Sequence, residues 1–201
     1  MTDSPTPAVP LPEIDVPGGL CHFVATPIGN LADVGLRALA VLAAADVVYA
    51  EDTRHTRRLL DRYGIRATLA SYHDHNKERA VPAVIERLKA GQKVAVVSDA
   101  GMPCISDPGF TLVRALEQAG LGWTVVPGPS STLVALVLSG FATARFLYLG
   151  YAPRTKGPRR TFLAGAWEDP GTVLILASCH RIRSTRAILA DLDPDRRAAG
   201  A

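Results

Sequence analysis

From Leu20 onward, a short apolar run repeatedly empties into a loop of Gly, Pro, Ser and Asp and then into a helix-period segment. That rhythm selects a mostly parallel sheet with helices on its faces, because parallel neighbours need crossover connections that bury both faces. The clearest instance is the strand Lys93 to Val97 followed by SDAGMPCISDPG, Ser98 to Gly109. Open α/β sheets bind ligands at the carboxyl ends of strands. Here Gly101 lets the backbone come close while Asp99, Ser106 and Asp107 supply acceptors. An ordinary tight connection uses the same residue types, so this stretch alone leaves both readings open.

The other units follow in order. Leu20 to Ala25 predicts a strand that ends in the turn Thr26-Pro27-Ile28-Gly29-Asn30. Asn30 or Asp33 then caps a helix to about Ala45, with Leu36, Leu39 and Leu42 on its buried stripe. The turn lacks GxGxxG, and Pro27 removes an N–H, so no pyrophosphate site is expected there. Asp46 to Ala50 is a second strand. It leads to Glu51-Asp52-Thr53-Arg54-His55-Thr56-Arg57-Arg58, where Thr53 is the expected cap of a helix ending at Tyr63 before Gly64. Paired carboxylates beside a histidine and three arginines suit acid/base work or an anion-facing patch; a solvated helix start is the plainer alternative.

Thr68 to Tyr72 is a third strand, running into His73-Asp74-His75-Asn76. Its HxH spacing lacks further ligands, and no metal is expected. Val81, Val84, Ile85 and Leu88 mark a helix that starts near Val81 or kinks at Pro82. Asp107-Pro108 reads as a cap with proline in the first turn of a helix to Ala119. Trp123 to Val126 is a fifth strand, and Pro127-Gly128-Pro129-Ser130-Ser131 opens a helix over Thr132 to Ser139. The rhythm restarts with strand Phe146 to Tyr151, a basic loop Ala152 to Arg160, strand Val173 to Ala177 and a helix from His180 to about Leu192. The expected organisation is a disordered Pro-rich tail over 1–19, an α/β domain over 20–127 and a second over 128–201.

A formal charge of +3, from 22 basic and 19 acidic residues, does not by itself mark a nucleic-acid binder. The distribution is more telling. Between Arg145 and Arg186 eight basic residues face two acids, which makes the C-terminal third the positive part. Arg154, Lys156, Arg159 and Arg160 on the basic loop are candidate phosphate contacts, or a solvated loop. Cys21, Cys104 and Cys179 have neither disulfide nor zinc spacing, which fits a reducing cytoplasm. The first nineteen residues lack the apolar core of a secretory signal, and no apolar run reaches the roughly 20 residues that span a bilayer.

Five segments, taken together and in this order, carry a resemblance: VATPIGNLADVGLRAL, AEDTRHTRRLL, SYHDHN, VSDAGMPCISDPGFTLVRA and VPGPSSTLVALVLSG. They resemble the bacterial 16S ribosomal RNA cytidine 2'-O-ribose methyltransferases of the tetrapyrrole-methylase-like superfamily, over residues 20 to about 190. The resemblance implies S-adenosylmethionine as methyl donor, two αβα-layered domains with the cofactor in the cleft between them, and a homodimer. It also implies a cytidine target in the decoding region of the small ribosomal subunit. For the site it implies cofactor contacts from Pro27, Ser98, Asp99, Ala100, Gly101, Ile105, Ser106, Pro127, Ser130 and Ser131. Glu51, Asp52 and His55 are then the candidate bases, with Glu51 or Asp52 preferred. Arg54 and Arg57 are RNA or dimer contacts, joined by Arg154, Lys156, Arg159 and Arg160. A tetrapyrrole-like small substrate and a non-catalytic binder of cofactor or RNA remain the alternatives. Family members usually carry Glu-Ser-Pro-His-Arg where this chain reads Ala177-Ser178-Cys179-His180-Arg181, and they run further. An incomplete second domain is therefore expected.

Overall fold

Three short, mostly apolar runs become strands buried at every residue: β1 (Cys21–Val24), β2 (Val47–Ala50) and the fourth strand in chain order, β4 (Val94–Val97). The computed structural model describes residues 10–106 and 109–200. Between β2 and β4 lies β3 (Leu69–Ser71), and β5 (Trp123–Val126) closes the set. All pair in parallel, in the order β3-β2-β4-β1-β5.

Alternation along the strands divides the core in two. Val24, Val48, Ala50, Ala95 and Val97 pack with Leu39 and Leu42 of α1 (Leu36–Ala44) and Leu59 and Leu60 of α2 (Thr53–Arg62). Phe23, Val47, Tyr49, Val94 and Val96 pack with Leu88 of α3 (Lys77–Lys89) and Leu112 and Leu116 of α4 (Phe110–Gln118). Both sheet faces are thus covered, which is why the strands read as unbroken apolar runs rather than alternating ones.

Strand order also locates the crevice. From β1 to β2 to β3 the chain steps one way across the sheet, and from β3 to β4 to β5 it steps back. With right-handed crossovers this reversal puts α1 and α2 on one face and α3 and α4 on the other, as the two clusters show. The exits of β1 and β2 therefore diverge from the exit of β4 between them, leaving a crevice at the carboxyl end of β4.

Several local expectations are corrected. Asn30 caps only a single 3-10 turn, Leu31–Asp33, by accepting from the Ala32 N–H at 3.0 Å; α1 starts later, behind Gly35. Asp52, not Thr53, caps α2. Helix α3 starts at Lys77 and carries Pro82 inside it, rather than starting at Val81. Asp107 and Pro108 lie outside the described residues, and α4 begins behind Gly109 without a side-chain cap. Residues 10–19, expected to belong to a disordered tail, have Val16 buried in the first core cluster with Leu11 and Ile14 against it. Three spaced apolar side chains are enough to dock this proline-rich arm.

The chain divides after Ser130. Residues from Ser131 form a second unit: α5 (Ser131–Ser139), β6 (Phe146–Tyr151), α6 (Lys156–Trp167), β7 (Thr172–Leu176) and α7 (Ile182–Leu192). Strands β6 and β7 pair in parallel as a two-stranded sheet. The expected basic loop is in large part α6, because Gly157 and Pro158 fall in a first helical turn, where proline is tolerated. No described helix is long and apolar enough to cross a membrane.

Candidate functional site

Three loops meet at the carboxyl end of β4. Thr26, leaving β1, and Gly101, after β4, form an isolated antiparallel bridge: the Thr26 N–H donates to the Gly101 carbonyl at 2.9 Å, and the Gly101 N–H returns to the Thr26 carbonyl at 3.0 Å. The Thr26 hydroxyl also donates to the Ser98 carbonyl at 3.2 Å. Gly101 has φ +80°, and a Cβ there would lie 3.3 Å from Ile28 Cγ2 and 3.7 Å from the Pro129 carbonyl oxygen. Glycine is needed because the β1 and β5 exits close in on it.

Beside this bridge is a shallow, solvent-open hollow lined by Thr26, Pro27, Leu31, His55, Thr56, Leu59, Ser98 and Asp99. Its rim is braced by Tyr63, whose hydroxyl donates to the Leu31 carbonyl at 2.8 Å. Of the residues singled out from the sequence, Pro27, Ser98, Asp99 and His55 line this hollow. Ala100 and Gly101 follow on the β4 loop and are not among the lining residues, and Ile105 is 51 % exposed. Ser106 sits in the left-handed region at φ +64°. Pro127 and Ser130 lie on the β5–α5 connection and Ser131 opens α5, and none of the three is among the lining residues. Thr26, Leu31, Thr56 and Leu59 escaped the sequence reading, although Leu59 follows His55 at i, i+4 and Thr56 at i, i+3 on α2.

The acidic candidates are not equivalent. Asp52 Oδ1 accepts from the Arg54 N–H at 2.8 Å and from Arg54 Nε at 3.1 Å, while Oδ2 accepts from Nη2 at 2.8 Å. Hydrogen bonds from Arg54 hold its carboxyl well below the ordinary carboxylate range. Both oxygens of this carboxylate are thus engaged by Arg54, so its use as a base would need that pairing to open. Glu51 stands half-buried just past β2 and does not line the hollow. Asp99, expected to touch a cofactor, uses Oδ1 to accept the Asp52 N–H at 2.9 Å. His55 lines the same hollow.

The cationic candidates also separate. Arg57, Arg154 and Lys156 are exposed, and Arg54 is exposed but paired with Asp52. Arg160 pairs with Asp191 on α7. Arg159 is only 5 % exposed, and its Nε and Nη1 are enclosed without a hydrogen-bond partner among the described residues. It does not offer its guanidinium to a polyanion, contrary to its assignment as a phosphate contact. The His73-Asp74-His75 turn is pinned by Asn76, which accepts from the His73 N–H and donates to Ser71. Among the described residues no three His, Cys, Asp or Glu side chains are placed to hold a metal.

Comparison with known proteins agrees with this architecture. The chain is 47 % identical to the ribosomal RNA small subunit methyltransferase I of Mesorhizobium japonicum over 89 % of its length, which is 61 % of that protein. It is 44 % identical to the protein of the same name from Escherichia coli O157:H7, covering 82 % of this chain and 57 % of that one. The chain thus spans about six tenths of the length of these curated relatives. Among solved structures, diphthine synthase superposes with a TM-score of 0.66 at 20 % identity, covering 87 % of this chain and 72 % of that one. The uroporphyrin-III-C-methyltransferase of Thermus thermophilus superposes with a TM-score of 0.61 at 22 % identity, covering 89 % and 74 %. The family model of the tetrapyrrole (corrin/porphyrin) methylases matches residues 21–201, and the chain belongs to that family.

Proposed function

We propose that this chain carries the donor-binding part of a ribosomal RNA methyltransferase, which transfers a methyl group from S-adenosylmethionine to the ribose 2'-hydroxyl of a cytidine in the decoding region of the small-subunit RNA. Support comes first from the relatives named for small-subunit RNA methylation. The observation that carries the reading is the hollow at the switch crevice, whose polar lining of Thr26, Ser98 and Asp99 suits a donor with hydroxyl and amino groups and no phosphate. The space that Gly101 leaves beside Ile28 and Pro129 lets backbone approach such a ligand closely. When bound, S-adenosylmethionine supplies an electrophilic methyl group. Ser98 would hold the donor, with Pro27 and Leu31 excluding water from one side. His55 would accept the proton of the attacking hydroxyl, since the Asp52 carboxylate is occupied by Arg54. Most of the acceleration would come from positioning.

Arg57, Arg154 and Lys156, exposed cations, are the proposed RNA contacts. Assembly as a homodimer and action in the cytoplasm on the small ribosomal subunit complete the reading. The test is transfer of a labelled methyl group from S-adenosylmethionine to small subunits lacking the modification. Label in a cytidine 2'-O position is expected. No transfer by this protein, beside an active relative, overturns it.

A further inference from the structure

We propose that Asp99 is a positioning residue, which locks the first turn of α2 to the exit of β4 and so fixes His55 against the hollow; this rests on the reading of the hollow as the methyl-transfer site. Strands β2 and β4 are neighbours, with Ala50 opposite Val97 as their last register pair. Beyond that pair the chain leaves β2 toward one sheet face and β4 toward the other, so the ladder no longer holds the two exits together. Across the gap Asp99 Oδ1 takes the Asp52 N–H at 2.9 Å. Asp52 is the cap residue of α2, and its own carboxylate takes the Arg54 N–H. Two carboxylates in series therefore hold the amino terminus of α2: Asp52 within the helix, and Asp99 from the neighbouring strand.

His55 lies three residues beyond Asp52, in the turn so fastened, and shares the hollow with Asp99. A first turn left unfastened would swing the imidazole relative to Ser98 and Thr26. The residue type follows from this task. An acceptor on a short stem is needed, and the charge strengthens the bond to the amide without having to touch a ligand.

Asparagine can keep the acceptor at this position and discard the charge, whereas alanine discards both. In Asp99→Ala, amide hydrogen exchange at Asp52 to Arg54 is expected to speed up, and the dissociation constant for S-adenosylmethionine, measured by calorimetry, to rise on the order of tenfold, the scale of one hydrogen bond. Asp99→Asn is expected to retain the protection and to bind within about threefold of the unmodified chain. Unchanged exchange in Asp99→Ala overturns the proposal whatever the calorimetry shows. So does an Asp99→Asn protein that keeps its protection yet binds as poorly as Asp99→Ala, because Asp99 would then act as a direct charged contact. If the unmodified chain binds no S-adenosylmethionine, the reading of the site fails, while the exchange result still decides the fastening.

Discussion

Replacing Gly101 by alanine probes the crevice directly, and Gly120→Ala supplies its control. Both glycines have positive φ, +80° and +66°, so each alanine incurs the left-handed penalty of about 1–2 kcal/mol, partly offset by roughly 0.4–1 kcal/mol from a less flexible unfolded chain. The surroundings differ. A Cβ at Gly120 has no heavy atom within 4 Å, whereas one at Gly101 lies 3.3 Å from Ile28 Cγ2. That is a few tenths of an ångström inside the preferred carbon separation of about 3.5–4.0 Å, and relieving it displaces Ile28 or the Thr26–Gly101 bridge at a further cost of about 1 kcal/mol. Urea unfolding should therefore show Gly120→Ala losing about 1 kcal/mol and Gly101→Ala about 2 kcal/mol. Gly120 connects α4 to β5 at the opposite end of the sheet, so only Gly101→Ala should also weaken S-adenosylmethionine binding in calorimetry. Equal losses of stability and unchanged affinity in both variants would refute the argument that Gly101 is there for close approach.

Two further outcomes follow from buried groups. Burial pushes the Cys21 thiol from an ordinary 9.0 up to about 12, with Cys104 adding to it, and the Tyr72 hydroxyl from 10.0 up to about 12. Burial also lowers the His22 imidazole from 6.5. Above pH 9 the unfolded thiol ionises before the folded one, and below pH 6.5 the unfolded imidazole takes a proton that the folded one refuses. Stability from urea titrations should therefore be highest between these limits and fall on both sides, and Cys21→Ala should flatten the alkaline fall. Arg159, buried with Nε and Nη1 unpartnered among the described residues, gives the third: Arg159→Met should leave thermal stability unchanged or raise it by about 1–3 kcal/mol, and a loss of that size would show that the guanidinium is satisfied.

How much of this was readable in advance depended on the range of the cause. The strands β1, β2 and β4 declared themselves because burial on both faces removes polar residues from the run. The α2 cap was displaced by one residue because Asp52 and Thr53 are both good caps, and the choice rests on which side chain reaches the Arg54 N–H. Lys156 to Arg160 read as a loop because Gly157-Pro158 signals a turn, whereas Leu163 and Ala166 bury one side of the segment and make it a helix.

The deepest reassignment concerns Asp99, and no local pattern could have supplied it. Its partner amide is 47 residues away in sequence and becomes a neighbour only once β4 inserts beside β2. Residue types at the strand ends point to these loops, and Thr26, His55, Ser98 and Asp99 line one hollow there. Roles within the loops were decided by hydrogen bonds instead. Once Asp52 is committed to Arg54 and Asp99 to the Asp52 amide, the side chain left facing the hollow with a proton-accepting nitrogen is His55. The two acids near this helix start each hold it through a backbone amide, Asp99 through that of Asp52 and Asp52 through that of Arg54.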